Sequence, residues 1–222
     1  MARIARVMAE GYPHHVTQRG NRRQRTFFRD RDYADYLDLM AAWCAKHEVA
    51  IWAWCLMPNH VHLIAVPGTH EGLARAVGET HRRYTRLLNF RKGWRGYLWQ
   101  GRFASYPMDA AYALAAARYV ERNPVRAGLV KRAWRWPWSS AAAHVERRGD
   151  RLIAPTDPLR AEVRDWRRFL LAAEDADEVA LLRRHARTGR PLGDGAFLPA
   201  LESLLGRPLA PRPPGRPRKR RK

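Results

Sequence analysis

The chain has 222 residues, of which 46% are hydrophobic, enough for one folded domain with an appendage. Lysine and arginine number 42 against 21 acidic residues, which gives a formal net charge of +21. This charge favours a polyanionic partner, nucleic acid above all. No long apolar segment favours a membrane protein, and two cysteines argue against a disulfide framework. Because the first 15 residues lack the apolar core of a signal peptide, we expect a cytoplasmic, nucleoid-associated protein.

The predicted elements follow the order β–α–β–β–α–β–α. A strand and a Gly-Asn turn lead into a second short extended stretch within residues 13–28, and a helix follows. Two β-rich runs, 49–57 and 60–66, are joined by a Pro58-Asn59 hairpin turn, and residues 70–90 are helical. A Gly-punctuated aromatic strand follows within 96–108. Asp109 can N-cap the Ala-rich helix that Pro124 is expected to stop.

This order predicts an α+β fold, a small antiparallel sheet with the helices packed on one face. We assign residues 1–145 to this domain. Residues 146–205 form a helical C-terminal extension, with one or two short helices up to residue 190 and another near its end. Residues 206–222 form a basic, Pro-rich tail that should be disordered in isolation.

His60 and His62 stand one residue apart in the second β-rich run, "HVHLIAV". Alternate residues of a strand share a face, so the two imidazoles can converge on one ion. Imidazole suits Mn, Fe, Ni and Zn better than Mg, although it does not exclude Mg. The alternative is two histidines on the solvated face of an edge strand. The apolar neighbours favour a half-buried pair in need of partners.

Tyr119 and Asn123 lie four residues apart on the Ala-rich helix and so share a face. A tyrosine hydroxyl can act as a covalent nucleophile, and an amide oxygen can ligate a hard metal ion. Taken alone, the pair is also compatible with a core aromatic and with a turn opened by Asn123-Pro124. The spacing by itself therefore does not assign a function.

Four segments together resemble a known family: "HHVTQRGNRRQ", "MPNHVHLIAVP", "YVERNPVRAGLV" and "WSSAAAH". They are similar to the REP-associated tyrosine transposases, a branch of the single-tyrosine transposases with a His–hydrophobe–His (HUH) motif. The similarity runs over roughly residues 3–145 and makes this segment a catalytic domain. It implies the ferredoxin-like HUH nuclease fold.

The resemblance also implies a mechanism. His60, His62 and Asn123 would hold one divalent ion, Mg or Mn, and Tyr119 would attack the scissile phosphate to form a covalent 5′-phosphotyrosine. The implied partner is single-stranded DNA with a hairpin, the repetitive extragenic palindrome (REP). Some related transposases are dimers, whereas this branch is regarded as monomeric, so a monomer is slightly favoured.

Several residues are candidates for DNA contacts. Gln100 and Arg102 stand among aromatics and could read base edges, and Tyr84 is a candidate for DNA contact, with packing as an equal alternative. The tail resembles an AT-hook core, although a non-specific phosphate arm is an equal alternative. The basic candidates at the Gly-Asn turn and in the tail are Arg19, Arg22, Arg23, Arg25, Arg216, Arg218 and Lys219.

Two other functions remain open. A non-catalytic DNA- or RNA-binding regulator would keep the basic surface but would not need the His, Tyr and Asn set. A zinc-stabilised binding module would lack a fourth ligand and the cysteines that such sites commonly use. The sequence therefore predicts a metal-dependent single-strand endonuclease and strand transferase.

Overall fold

The computed structural model describes residues 4–210. The predicted order β–α–β–β–α–β–α is confirmed, and the described part of the chain continues into six further α-helices of 4 to 13 residues. The strands are β1 (His14–Arg19), β2 (Val49–Met57), β3 (His60–Pro67) and β4 (Ala104–Pro107). The helices are α1 (Asp30–Lys46), α2 (Gly72–Lys92), α3 (Ala110–Glu121), α4 (Asn123–Arg126), α5 (Ala141–Val145), α6 (Leu159–Glu162), α7 (Trp166–Leu171), α8 (Ala176–Thr188) and α9 (Phe197–Leu205).

The strands form one antiparallel sheet in the order β2-β3-β1-β4. The hairpin turn at Pro58-Asn59 is confirmed, since β2 ends at Met57 and β3 begins at His60. The register of the central pair places His62 opposite Thr17 and His60 opposite Arg19. Directly opposed residues point to the same face of a sheet. His60 and His62 therefore share a face with the odd-numbered residues of β1.

The expectation that helices cover one face of the sheet is wrong, because both faces are covered. Helices α1 and α2 pack on the face that carries Val16 and Leu63, whereas α3 packs on the face that carries Cys55 and Ile64. Strand β3 is buried at most positions on both sides, a pattern typical of a strand enclosed between two layers. The histidine face therefore lies against α3.

Helix α3 is positioned by its N-cap and by the segment that follows it. The Asp109 carboxylate accepts a hydrogen bond from the Tyr112 amide, so the predicted N-cap is confirmed. The helix ends at Glu121, but the chain turns at Arg122 and resumes as α4. Pro124 is tolerated there because the first turn of a helix has no partner for the missing N–H. The predicted stop is thus a short break.

The segment after residue 145 packs against α3. Three helices, α6, α7 and α8, occupy the stretch where one or two were expected, and the predicted helix near the end is α9. No helix among residues 4–210 is long and apolar enough to cross a membrane. The apolar side chains that this segment buries beside α3 are Leu159, Trp166, Leu170, Leu182 and Leu192.

Candidate active site

A cleft of about 910 Å³ opens where β1, β3 and β4 meet α3, α4 and α8. His60 and His62 on β3 line it, and so do Tyr119 and Asn123 at the end of the Ala-rich helix and just beyond. The ring centroids lie 5.0 Å apart between His60 and His62 and 6.0 Å apart between His62 and Tyr119. The four side chains predicted from two motifs therefore face one another in a single cleft of one chain.

The two histidines are oriented so that one nitrogen of each remains available. His60 Nδ1 is 2.5 Å from Asn59 Oδ1, and His62 Nδ1 is 2.9 Å from His15 Nε2. The Nδ1 atoms are thus engaged, and the Nε2 atoms are free to bind a ligand. Such contacts to the second ring nitrogen commonly fix the orientation of metal-binding histidines.

His15 lies in the "HHVTQRGNRRQ" segment, where its position before a strand favours a structural or DNA-facing role over a metal role, and it contacts His62. It is buried on β1, and its Nδ1 lies 3.1 Å from Tyr106 Oη, which donates in turn to the Leu182 carbonyl of α8 at 3.4 Å. When His62 Nε2 is kept as an acceptor, His62 Nδ1–H donates to His15 Nε2, and His15 Nδ1–H donates to Tyr106 Oη. The Tyr106 hydroxyl then donates to the Leu182 carbonyl. The C-terminal extension therefore helps to fix the orientation of His62.

The site histidines are neutral at neutral pH. Burial lowers the pKa of His15 to about 3, with the positive charge of Arg126 adding to the effect. Burial, followed by the charge of Arg19, lowers the pKa of His60 to about 3, and burial and neighbouring His60 hold that of His62 well below its usual value. Neutral imidazole is the form that binds metal ions.

The donor set fits a divalent ion. Asn123 is buried, and its amide nitrogen donates to Val120 O at 3.3 Å, which leaves the amide oxygen free. Among residues 4–210, no three His, Cys, Asp or Glu side chains form a metal cluster. His60, His62 and Asn123 thus offer two imidazole nitrogens and one amide oxygen.

Arg126 contacts both the ring and the backbone carbonyl of Tyr119. Its guanidinium lies 4.0 Å from the ring centroid, and Nη2 donates to the Tyr119 carbonyl at 2.5 Å. Glu174, which precedes α8, accepts from Arg126 Nη1 at 2.5 Å and lies 3.2 Å from Arg122 Nε. Tyr119 is thereby fixed at 9% exposure, with a positive charge beside its ring.

The cleft is strongly basic. Of the described residues that line it, six are arginines and none is acidic. Arg183 and Arg187, one turn apart on α8, form the wall contributed by the C-terminal extension. Sequence reasoning missed them, although "RRHAR" within a helical stretch carried the charge. The six are Arg19, Arg23, Arg102, Arg126, Arg183 and Arg187.

The predicted DNA-contact residues have different locations. Arg19, Arg23, Gln100 and Arg102 line the cleft, whereas Arg22 and Arg25 are exposed beside it. The predicted Gly-Asn turn is confirmed as a 3-10 turn over Asn21–Arg23, and in the described part of the chain no β-strand follows it before α1. The remaining candidates, Arg216, Arg218 and Lys219, lie outside the described residues.

The assignment of Tyr84 to the DNA surface is wrong. Its side chain is fully buried between α1 and α2, and its hydroxyl donates to Thr26 O at 2.7 Å. Phe27 and Tyr36 pack against its ring with centroids 5.4 and 5.3 Å away. The "THRRYTRLL" pattern could not distinguish a buried tyrosine from an exposed one because arginines flank it on both sides.

A buried polar cluster fixes α3 from the side away from solvent. Glu121 is fully buried and accepts hydrogen bonds from Ser140 Oγ, from Trp166 Nε1 at 2.6 Å and from His144 Nδ1 at 2.6 Å. Asp157 binds the other nitrogen of His144 at 3.0 Å. Burial alone lowers the pKa of His144, but the two carboxylates outweigh it and raise the pKa to about 9. The cluster joins α3, the helix that carries Tyr119, to α5 and α7.

We expect this cluster to make folding stability depend on pH. The folded-state pKa of His144, about 9, exceeds the unfolded value of 6.5. The stabilisation is therefore complete below pH 6.5 and is lost as the pH rises through about 9. The shift corresponds to about 3 kcal/mol in the free energy of unfolding. Denaturant unfolding across this range should show the loss in the parent chain and not in His144→Gln, with exposed His70→Gln as the control. Identical pH slopes for all three would contradict this prediction.

Comparison with known proteins agrees with this architecture. The sequence model of the IS200-like transposases matches residues 9–123, more than half of the chain. The chain therefore belongs to the IS200-like transposase family, and its general role is that of a DNA-processing enzyme. This confirms, at the level of the family, the resemblance carried by the sequence motifs.

One solved structure gives the same picture of the fold. The structure of a REP-associated tyrosine transposase bound to a REP hairpin is similar, with a TM-score of 0.58 and 22% identity over 71% of this chain and 93% of that one. A crystal structure from Deinococcus radiodurans R1, assigned as a transposase, has a TM-score of 0.37 and 20% identity over 54% of this chain and 96% of its own. Comparison with curated proteins gives no match.

Proposed function

We propose that the chain is a metal-dependent endonuclease and strand transferase that acts on single-stranded DNA beside a REP-type hairpin. These two activities together would carry out DNA transposition. The observation that carries the proposal is the approach of Tyr119 to His62, 6.0 Å between ring centroids, in a cleft that His60 and Asn123 also line. A binding protein has no need of this set, whereas phosphodiester cleavage uses all four members.

Each member of the site has a distinct role in the proposal. His60, His62 and Asn123 would hold a divalent ion, Mg or Mn, which would supply Lewis-acid polarisation of the scissile phosphate. Tyr119 Oη loses its proton and attacks phosphorus. An O–P bond to a 5′ phosphate forms, the bond to the 3′ oxygen breaks, and that oxygen takes up a proton as a 3′ hydroxyl. The enzyme–DNA bond retains the phosphodiester energy, so a second 3′ hydroxyl can displace Tyr119 and complete strand transfer.

The surroundings support a single-stranded substrate. Arginines on both sides of the cleft can grip the backbone of one strand and leave its bases accessible to side chains such as Gln100. The fold shared with a hairpin-bound transposase supports a hairpin partner. One chain supplies all four site residues, which supports action as a monomer. Chromosomal DNA as the substrate would place the protein at the nucleoid.

Asymmetric labelling tests the chemistry. A hairpin oligonucleotide with a single-stranded flank is labelled at either end and incubated with the full chain and Mn or Mg. Label at the 3′ end should become covalently attached to protein, and label at the 5′ end should appear on a free shortened strand with a 3′ hydroxyl. EDTA should abolish both products. Binding without any covalent product would instead favour a non-catalytic regulator.

The basic wall on α8 gives a second expectation. Replacing Arg183 and Arg187 by Gln should weaken single-strand binding. The slope of log K against log salt concentration should become less steep by about 1.4, because each of the two lost phosphate contacts contributes about 0.7. Filter binding or anisotropy over a series of salt concentrations measures both quantities. Arg184→Gln, exposed on the same helix but outside the cleft lining, is the control. An equal slope for the double variant and the parent would remove α8 from the DNA path.

A further inference from the structure

Two large aromatic side chains are exposed in the loop that follows α2. Tyr97 is 88% exposed and Trp94 is 43% exposed. Trp94 is not isolated, since its ring packs edge-on against Phe28 with centroids 5.7 Å apart, and Lys92 Nζ lies 4.4 Å from the Phe28 centroid. Clustered exposed aromatics are characteristic of an interaction surface.

This loop is fixed to the arginine turn at the edge of the cleft. The Leu98 carbonyl accepts the amide of Asn21 at 2.8 Å, and the Gln100 amide donates to Arg19 O at 2.8 Å. Trp99 also forms a β-bridge with Gly20. Tyr97 therefore directly precedes residues that are hydrogen bonded to the turn. The aromatic loop, the turn and the cleft form one continuous surface.

The charge of this surface is complementary to a nucleic-acid strand. Neither residues 11–29 nor residues 80–108 contain an acidic side chain. The turn presents Arg22 and Arg23 in left-handed backbone conformations, with φ of 52° and 62°, and both are exposed. Of the two carboxylates in the first turn of α1, Asp32 is buried and paired with Arg91 at 2.6 Å, whereas Asp30 is exposed. The surface beside the cleft thus carries both exposed guanidinium groups and exposed aromatic rings.

We propose that Trp94 and Tyr97 form a stacking platform for unpaired bases of the DNA strand that leaves the cleft, with Arg22 and Arg23 on its phosphates. The choice of single-stranded DNA as occupant rests on the proposed function. Aromatic faces stack on any base, whereas bases within a duplex are already stacked and cannot be shared. A protein partner would not require arginines at this density without acidic neighbours.

The test is a binding measurement in EDTA, so that it is independent of cleavage. The ligands are a hairpin with a single-stranded flank and the same hairpin with an abasic flank of equal length. Tyr97→Ala and Trp94→Ala should each weaken binding of the normal flank by about 5- to 150-fold, the range for loss of one stacked base. Binding of the abasic flank should be the same for both variants and the parent.

Phe90→Ala is the matched control. Phe90 is 91% exposed, but it lines a separate groove with Leu39 and Leu87 and is not part of the aromatic loop. Because Tyr97 makes few contacts, Tyr97→Ala should retain the parent's thermal unfolding, and it keeps the test decisive if Trp94→Ala is unstable. A single 5-iodouracil in the flank should photocrosslink to the peptide that contains Trp94 and Tyr97.

Three results would overturn the platform. They are unchanged affinity of Tyr97→Ala for the normal flank, an equal loss with the abasic flank, and an equal loss with Phe90→Ala. Failure of the proposed function would look different. The parent protein would bind the flank, Tyr97→Ala would weaken that binding, and the parent would form no covalent product with DNA. The two ideas can therefore be rejected separately.

Discussion

Tyr119→Phe should form no covalent protein–DNA product, with strand cleavage reduced by ~10³-fold or more, since loss of a nucleophile removes the chemical step itself. The change removes one oxygen and keeps the ring. The stack of Arg126 on that ring and the approach of His62 should therefore persist. We expect binding of the hairpin oligonucleotide in EDTA to be nearly unchanged. Cleavage is measured with the 3′-labelled strand and binding by anisotropy.

Tyr112→Phe is the matched control for this experiment. Tyr112 lies on the same helix two turns earlier and is not among the residues that line the cleft. Its variant should cleave like the parent. A covalent product with Tyr119→Phe, or its loss with Tyr112→Phe, would move the nucleophile away from Tyr119. Loss of DNA binding by Tyr119→Phe would show instead that its hydroxyl serves recognition.

The elements of the fold could be predicted because their patterns are local. The apolar runs of β2 and β3, the turn at Pro58-Asn59 and the cap at Asp109 are each determined by residues close in sequence. That helices cover both faces of the sheet depends on contacts between distant segments. The buried stretches of β2 and β3 carry this information, since a strand with one solvated face would alternate more clearly.

The site was predictable where spacing fixes geometry. His60 and His62 share a face because they are two residues apart in a strand, and Tyr119 and Asn123 share one because they are one helical turn apart. That the two pairs meet follows from α3 packing on the histidine face, which no local pattern specifies. The family resemblance supplied this link before the structure did.

The residues that sequence reasoning missed or misplaced depend on long-range packing. The contact of His15 with His62 joins neighbouring strands, and α8 brings Arg183 and Arg187 to the cleft from 64 and 68 residues beyond Tyr119. The sequence leaves packing and DNA contact open for Tyr84, and the helix turns its ring into the core. Burial of one residue within a charged helix depends on which face meets the sheet, and composition does not reveal this.

Replacing both His60 and His62 by Ala should abolish metal-stimulated cleavage and should lower the affinity for Mn by at least about 100-fold, since losing even the partners of metal ligands costs 10- to 100-fold. Asn123 alone offers a single neutral oxygen to the ion. Isothermal titration with Mn in the absence of DNA measures affinity without relying on activity. Binding of the hairpin in EDTA should remain, because the arginines that line the cleft are untouched.

His70→Ala provides the matched control, as His70 is exposed and lies outside the cleft lining. His60→Ala alone guards against misfolding, because His60 is partly exposed whereas His62 is buried and bonded to His15. A double variant that remains folded and keeps the parent's Mn affinity would leave the histidines as ordinary residues of a half-buried strand. Lost Mn affinity with cleavage intact would separate the ion from the chemistry and leave Tyr119 and Arg126 to carry the reaction. The geometry of β3 and α3 predicts that Mn affinity and cleavage are lost together while hairpin binding is retained.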